Sequence, residues 1–114
     1  MEETIFHKIL REEIPADVVF ENDHVLAFRD IRPQAPTHVL VIPKFPLADF
    51  SELATAEPSI VSNFIQGVSL AAEHLGLNEG GYRTVFNTKK GGGQEVPYLH
   101  AHILAGRTLT WPPG

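Results

Sequence analysis

The chain has 114 residues, of which 43% are hydrophobic and 20% are charged, and its formal net charge at pH 7 is −5. This length predicts a single domain over residues 1–114, and the negative charge argues against a protein that binds nucleic acid by neutralising many phosphates. No apolar run approaches the ~20 residues of a membrane span, and the acidic N-terminus is unlike a signal peptide. Because the chain has no cysteine, it has no disulfide, and we expect it to be cytoplasmic.

The first half of the chain predicts one short helix and three strands. Thr4 can cap the helix, and Pro15 ends it because proline lacks the N–H group that a helix interior uses. A turn at Asn22 and Asp23 separates the first two strands, and the third is apolar on both faces, which is typical of a central strand. We expect the helix over residues 5–13, the strands over 18–21, 25–29 and 37–42, and a proline-containing loop over 30–36.

The second half predicts a long amphipathic helix and two further strands. Pro58 suits the first turn of the helix, apolar residues then recur with the helical period, and Gly76 suits the position after its end. We expect the strands over residues 82–87 and 98–104, with a glycine-rich loop between them. Two helices and five strands, joined mostly by short links, indicate an α+β fold with a mostly antiparallel sheet.

The most informative stretch joins the glycines at 91–93 to a strand that carries two histidines. Successive strand side chains point to opposite faces, so His100 and His102 share one face with Tyr98, while the aliphatic residues between them face the core. A loop whose N–H groups can bind an oxyanion thus meets two imidazoles, which indicates phosphate chemistry. A half-exposed polar face is the alternative. Zinc is disfavoured because the chain has no cysteine and no further histidine at a ligand spacing.

This stretch resembles the histidine-triad signature of the HIT superfamily, and other segments are similar to its Hint branch, the histidine-triad nucleotide-binding proteins. The resemblance covers nearly the whole chain. It implies a HIT fold in which a mostly antiparallel five-stranded sheet with two helices continues across a homodimer. It also implies hydrolysis of purine nucleoside phosphoramidates, in which AMP is linked to an amine. The segments that carry it are 4–6, 13–15, 27–31, 33–38, 41–44, 81–83, 93–94, 98–104 and 111–114.

The resemblance implies a role for each residue at the phosphate. His100 matches the middle histidine of the triad, the nucleophile that forms a nucleotidyl-histidine, with its ring anchored by the backbone carbonyl of Tyr98. A neutral imidazole suits this role near neutral pH. His102 and His38 are expected on the phosphate oxygens. The remaining donors of the phosphate cradle are expected to be Asn87 and the backbone of Gly93 and Gln94.

The nucleoside end has matching positions as well. Asp30 resembles the carboxylate that binds the ribose hydroxyls, and Trp111 is expected to reach the active site of the partner in a dimer. Without the resemblance, the sequence would assign Asp30 to a turn and Trp111 to a capped hydrophobic end. It would assign the apolar residues of the first helix, Ile5, Phe6 and Ile9, to the core. The apolar slot around the purine is expected to consist of Ile5, Phe6, Ile9, Phe28 and Ile31.

Among the positions that depart from the family pattern, two bear directly on the chemistry; the others are Pro97 and Phe45, which follows Lys44 where a histidine is common. Tyr98 stands where the triad has its first histidine; it keeps the backbone carbonyl and adds a phenol donor. Glu95 stands where some members have a serine that assists the departing amine, so we expect Glu95 to favour cationic leaving groups or to point outward. A nucleotide-binding protein with little or no turnover and a dinucleoside polyphosphate hydrolase, as in the Fhit branch, remain alternatives.

The resemblance also implies which molecules the chain binds. The ligand is expected to be a purine nucleoside monophosphate or phosphoramidate, and the partner a second copy of the chain in a homodimer. No cofactor, metal, nucleic acid or membrane is expected.

Overall fold

A computed structural model describes all residues, 1–114, and its centre is one five-stranded antiparallel sheet. The strands lie in the order β1-β2-β3-β5-β4, and every neighbouring pair is antiparallel. This confirms the α+β class and the antiparallel sheet that the sequence predicts. The strands are β1 (Val18–Glu21), β2 (Val25–Arg29), β3 (Thr37–Pro43), β4 (Arg83–Val85) and β5 (Ala101–Ala105).

Both predicted helices are present. Thr4 caps the first one, since its hydroxyl accepts the N–H of Phe6 at 3.2 Å. This helix ends earlier than predicted because Glu12 takes a left-handed backbone conformation, with φ at +61°. Two short helices were not predicted: a 3₁₀ helix, and a last helix that replaces the expected glycine loop. The helices are α1 (Ile5–Leu10), the 3₁₀ helix (Phe50–Ala54), α2 (Pro58–His74) and α3 (Lys89–Gly92).

The last strand begins three residues later than predicted. Pro97 has no N–H group, and the N–H of Tyr98 turns back to the carbonyl of Val96 at 2.8 Å. The N–H of Leu99 donates to Leu47, in the connection after β3, at 2.7 Å. The segment before β5 is therefore bonded to a loop instead of a neighbouring strand. The predicted strand over 82–87 is also shorter, with three residues in β4.

The two faces of the sheet bury different hydrophobic clusters. The larger cluster packs α2 against the sheet and includes Leu99, Ala101 and Ile103, so the predicted core face of the histidine strand is confirmed. The smaller cluster lies under α1 on the opposite face, where Tyr98 has no exposed surface. It consists of Phe6, Leu26, Phe28, Leu40, Ile42 and Tyr98.

Neither α2 nor any other helix combines the length and the apolar character that crossing a membrane requires.

Candidate active site

The candidate site lies on the α1 side of the sheet, where the segment before β5 brings His100 beside His102. The imidazole Nδ1 of His100 lies 2.6 Å from the backbone carbonyl of Tyr98. A carbonyl can only accept, so Nδ1 carries the proton and Nε2 carries the lone pair. The contact that the resemblance implies for a tyrosine at this position is therefore present. His100 is 7% exposed, and the edge of the Phe6 ring packs against it, with ring centroids 5.1 Å apart.

A chain of hydrogen bonds fixes the protons on the other two histidines. The backbone N–H of Gln34 donates to His38 Nδ1 at 3.0 Å, so His38 carries its proton on Nε2. That nitrogen lies 2.9 Å from His102 Nδ1 and donates to it. His102 must then carry its own proton on Nε2. The backbone of the loop before β3 thus determines which nitrogen of His102 is the donor.

The two Nε2 atoms of His100 and His102 face solvent. Neither makes a hydrogen bond within the protein, and no buried polar side-chain atom in the structure lacks a partner. The rings stand with their centroids 5.0 Å apart. The site therefore offers a lone pair at one ring and an N–H donor at the next. This pair suits an electrophilic centre that carries an anionic oxygen, such as phosphorus in a phosphate derivative.

Burial favours the neutral form of all three imidazoles. Burial lowers the pKa of His100, while the Tyr98 carbonyl and the charges of Asp30 and Glu95 act in the opposite direction. Burial likewise lowers the pKa of His38, and Asp30 opposes it. Burial and the positive charges that His100 and His38 would carry lower the pKa of His102 to about 4. The neutral forms are those that the hydrogen-bond chain requires.

Asp30 lies beside the chain of hydrogen bonds that joins Gln34, His38 and His102. One carboxylate oxygen accepts the N–H of Arg32 at 2.7 Å, as in a turn, and the other lies 3.5 Å from His38 Nε2. Its side chain is 19% exposed and thus open to solvent on one side. Asp30 satisfies the turn that its neighbours need and still presents an oxygen next to the histidines.

Asp30, His38 and His102 could be taken for a metal site, since their ligand atoms lie within 4.8 Å of one another. A metal needs the lone pair of each imidazole nitrogen that it binds. Here His38 Nε2 carries a proton because Nδ1 accepts from the Gln34 backbone. If His38 Nε2 bound a metal, its proton would have to move to Nδ1. Nδ1 would then carry an N–H that faces the N–H of Gln34, so two donors would meet. The donor set does not fit a metal ion in this conformation.

The glycine-rich segment does not present the backbone donors that the sequence predicts. Gly93 ends α3 in a left-handed conformation, with φ at +78°. The N–H groups of Gly93 and Gln94 donate to the carbonyls of the first two α3 residues. Neither is therefore free to bind phosphate in this conformation. The N–H groups of Glu95 and Val96 have no acceptor in the protein. The free backbone donors of this segment are therefore at positions 95 and 96 instead of the predicted 93 and 94.

Asn87 and Glu95 flank α3. Asn87 is half-buried and its side chain has no hydrogen-bond partner; a side chain in place of Gly92 would lie in contact with the Asn87 backbone. Glu95 is exposed and lines an open cavity of about 540 Å³ together with Lys89 and Lys90. Its negative charge raises the pKa of His100, in opposition to burial. The expectation that Glu95 favours cationic leaving groups stays a prediction.

The predicted purine slot is only partly assembled in one chain. Phe6 and Phe28 are buried in the small cluster, and Ile9 packs partly buried against it. Ile5 is half-exposed. Ile31 and Trp111 are 92% and 81% exposed, with most of their apolar surface in water. Among the three aromatic residues of this set, only Phe6 has its ring packed against a site histidine.

Tyr98 acts on the site through its backbone and on the core through its ring. The hydroxyl donates to the backbone carbonyl of Pro43, at the end of β3. Burial raises the pKa of Tyr98 to about 12, so the phenol stays protonated and can donate. The ring is buried in the smaller cluster with no exposed surface, so a substrate cannot reach the hydroxyl. Proton transfer to a substrate is therefore not a role for this side chain.

The sequence model of the HIT domain family matches residues 11–109. The chain belongs to the HIT family. The resemblance seen in the sequence is thereby confirmed. A HIT family hydrolase from Legionella pneumophila Philadelphia 1 has a crystal structure that matches this fold with a TM-score of 0.90 at 50% identity. The match covers 98% of this chain and 100% of that chain.

Two further HIT relatives have names that bear on function. A purine nucleoside phosphoramidase of Escherichia coli strain K12 is 46% identical over 108 residues, which are 95% of this chain and 91% of that protein. A histidine triad nucleotide-binding protein from Candida albicans matches the structure with a TM-score of 0.79 at 29% identity, covering 96% of this chain and 83% of that chain. The relatives support hydrolase activity at the level of the family.

Sequence reasoning missed the Gln34 N–H, which acts on the site through His38, and the side-chain bond from Gln94 to Ala48 beside α3. The pattern of side chains in a sequence does not indicate which backbone N–H groups will act as donors. Two prolines, at 33 and 36, did mark the Gln34 segment as irregular, and that was the one signal available.

Proposed function

We propose that this HIT protein hydrolyses purine nucleoside phosphoramidates through a covalent intermediate on His100. The observation that carries the proposal is the pairing of Nδ1 of His100 with the Tyr98 carbonyl, which directs the Nε2 lone pair to solvent beside the His102 donor. The phosphoramidase of Escherichia coli, at 46% identity, supports the same substrate class.

The proposed reaction has two displacement steps. In the first, His100 Nε2 forms a bond to phosphorus and the P–N bond breaks, so the amine leaves with the electron pair and takes a proton from water. The Tyr98 carbonyl accepts from Nδ1 and stabilises the positive charge on the ring. In the second step, water attacks phosphorus, the bond between phosphorus and His100 Nε2 breaks, and the ring leaves with the electron pair. The attacking water gives a proton to the solvent, which balances the proton taken by the amine, so AMP is released and neutral His100 is regenerated.

His102 has the stabilising role in both steps. Its Nε2–H donates to a non-bridging oxygen whose negative charge grows as the nucleophile approaches. Because His38 and Gln34 hold this tautomer, the donor is in place before substrate binds. The exposed oxygen of Asp30 is proposed to bind the ribose hydroxyls, and the apolar residues near Phe6 are proposed to contact the purine.

Turnover of a fluorogenic adenosine phosphoramidate tests the proposal. The native chain should release the amine, and His100→Ala should abolish release. His24→Ala is the matched control, because His24 is exposed and its side chain makes no hydrogen bond. AMP binding without turnover in the native chain would instead support a nucleotide-binding protein without hydrolase activity, the alternative that the tyrosine at position 98 raises.

We also propose that the chain forms a homodimer within the cell. The exposed Ile31 and Trp111 side chains and the unpaired outer edge of β4 support an interface, since large exposed apolar groups favour association. Light scattering coupled to size-exclusion chromatography measures the mass directly. A monomer at micromolar concentration would refute the dimer and leave the histidine chemistry untouched.

A further inference from the structure

The side chain of Gln94 joins three segments around α3. Its carbonyl oxygen accepts the N–H of Lys89, the first α3 residue, at 2.8 Å. Its NH2 group donates to the carbonyls of Ala48 and Val96, both at 2.9 Å. One half-buried side chain thus connects the start of α3, the connection that follows β3, and the segment that leads to His100. We call residues 88–96 the α3 loop.

The α3 loop needs the hydrogen bonds of Gln94 because its other interactions stabilise its conformation only slightly. A helix of four residues has too few hydrogen bonds to be stable alone. Thr88, at the N-cap position, makes no side-chain capping bond. Lys89 has φ at +56°, a conformation that costs free energy in a residue other than glycine. Gln94 compensates with two bonds to Lys89: its side chain accepts the Lys89 N–H, and its own N–H donates to the Lys89 carbonyl at 3.0 Å.

These bonds also restrain the backbone that follows Gln94, which carries the free N–H group that could bind a phosphate. The next residue, Glu95, has a backbone N–H without an acceptor, and the one after that, Val96, is held through its carbonyl by the Gln94 NH2 group. The peptide that carries the free Glu95 N–H is thus fixed on both sides. A donor that is fixed before the ligand arrives binds an oxyanion without a further loss of conformational entropy.

We infer that Gln94 is a positioning residue, which holds the α3 loop so that the free N–H of Glu95 is directed at the phosphate of a bound nucleotide. The inference rests on the proposed function in one respect, that the ligand is a nucleoside with a 5′-phosphate group. The role differs from the sequence-based expectation, in which the backbone N–H of Gln94 itself binds phosphate.

The test compares the affinities of AMP and adenosine, measured by calorimetry on the native chain and on Gln94→Ala. This variant removes the three side-chain hydrogen bonds of Gln94 and adds no charge that could repel the phosphate. Its Kd for AMP should rise about tenfold, as expected for one lost hydrogen bond to a charged group. The Kd for adenosine, which lacks the phosphate, should stay within about twofold. Hydrogen exchange at the α3 amides should become faster.

Gln66→Ala is the matched control, because it makes the same truncation on the exposed face of α2. It should change neither affinity. If Gln94→Ala fails to fold, Gln94→Met keeps the length of the side chain, lacks the NH2 donor, adds no charge and is read by the same comparison. Binding needs no turnover, so the result is independent of whether His100 is a nucleophile.

Three results would overturn the inference. The first is an unchanged AMP affinity in the Gln94 variant. The second is an equal loss for AMP and adenosine, which would show a general structural role. The third is a native chain that binds AMP no more tightly than adenosine, since there is then no phosphate contribution for Gln94 to position.

Discussion

Replacement of Tyr98 with histidine restores the sequence of the triad and tests how this position acts. The structure indicates that the first position of the triad contributes its backbone carbonyl to His100, while its side chain belongs to the core. Tyr98→His keeps the carbonyl. It loses the hydroxyl that donates to Pro43 and part of the ring volume in a site with no exposed surface.

The expected cost follows from these two losses. A buried acceptor that loses its donor costs about 1–3 kcal/mol, and a partly filled core site adds about 1 kcal/mol or more. The free energy of unfolding at pH 7 should therefore fall by about 2–4 kcal/mol. A protein with a stability of about 5–15 kcal/mol stays folded after such a loss. The kcat for a phosphoramidate should change by less than about threefold, because no atom that touches His100 is altered.

Urea denaturation gives the stability, and initial rates give kcat. Tyr82→His is the matched control, since Tyr82 is the other tyrosine and is 36% exposed; its stability should barely change. Tyr98→Phe isolates the hydroxyl and should account for about 1–3 kcal/mol. The reasoning is refuted if Tyr98→His retains full stability. It is equally refuted if this variant gains more than about tenfold in kcat, since the imidazole ring would then have a role in proton transfer that the buried tyrosine lacks.

Two further substitutions test the electrostatics and the packing. Glu95→Gln should move the acidic limb of the kcat/KM profile to lower pH, because the carboxylate favours the protonated imidazole and its removal lowers the pKa of His100; a shift to higher pH would contradict this sign. Gly67→Ala should destabilise the fold by about 1–3 kcal/mol, since its Cβ would lie 2.4 Å from Val25 Cγ1 where α2 crosses the sheet. Gly80→Ala, with no atom within 4 Å, is the control in thermal unfolding and should have little effect.

The sequence was most informative where local pattern and tertiary packing agree. The strands at 18–21 and 25–29 have the predicted bounds, because a turn separates them and the second pairs with β3 along its whole length, while the first pairs with the second through a register shift between Val18 and Phe20. The long helix begins at the predicted proline, since Pro58 needs no hydrogen-bond acceptor there. In these elements the local signal and the packing lead to the same structure.

The prediction was least accurate near the phosphate. The strand over 98–104 has the predicted alternation of faces, but the N–H of Tyr98 bonds to Val96 and that of Leu99 to Leu47, in the connection after β3. The glycines at 91–93 suggested an open loop, while the structure has a short helix that uses the predicted phosphate donors internally. Both differences come from contacts between residues 47–48 and residues 94–99, and no local pattern encodes such contacts.

The histidine tautomers illustrate the same limit. The sequence indicates which histidines share a face, but the donor on His102 depends on a backbone N–H at Gln34 acting through His38. Only the folded loop before β3 brings that N–H to the ring. The chemistry of the candidate site therefore depends on a residue whose side chain has no part in it.

The central claim is that His100 becomes covalently attached to the nucleotide, and mass spectrometry tests it most directly. The native chain is mixed with an adenosine phosphoramidate, quenched at high pH to preserve the phosphorus–nitrogen bond, digested and analysed. We predict an adenylyl group on the peptide that contains His100, located on that residue by fragmentation and absent from His100→Ala. Turnover without any adduct, or an adduct on His102 instead, would contradict the account.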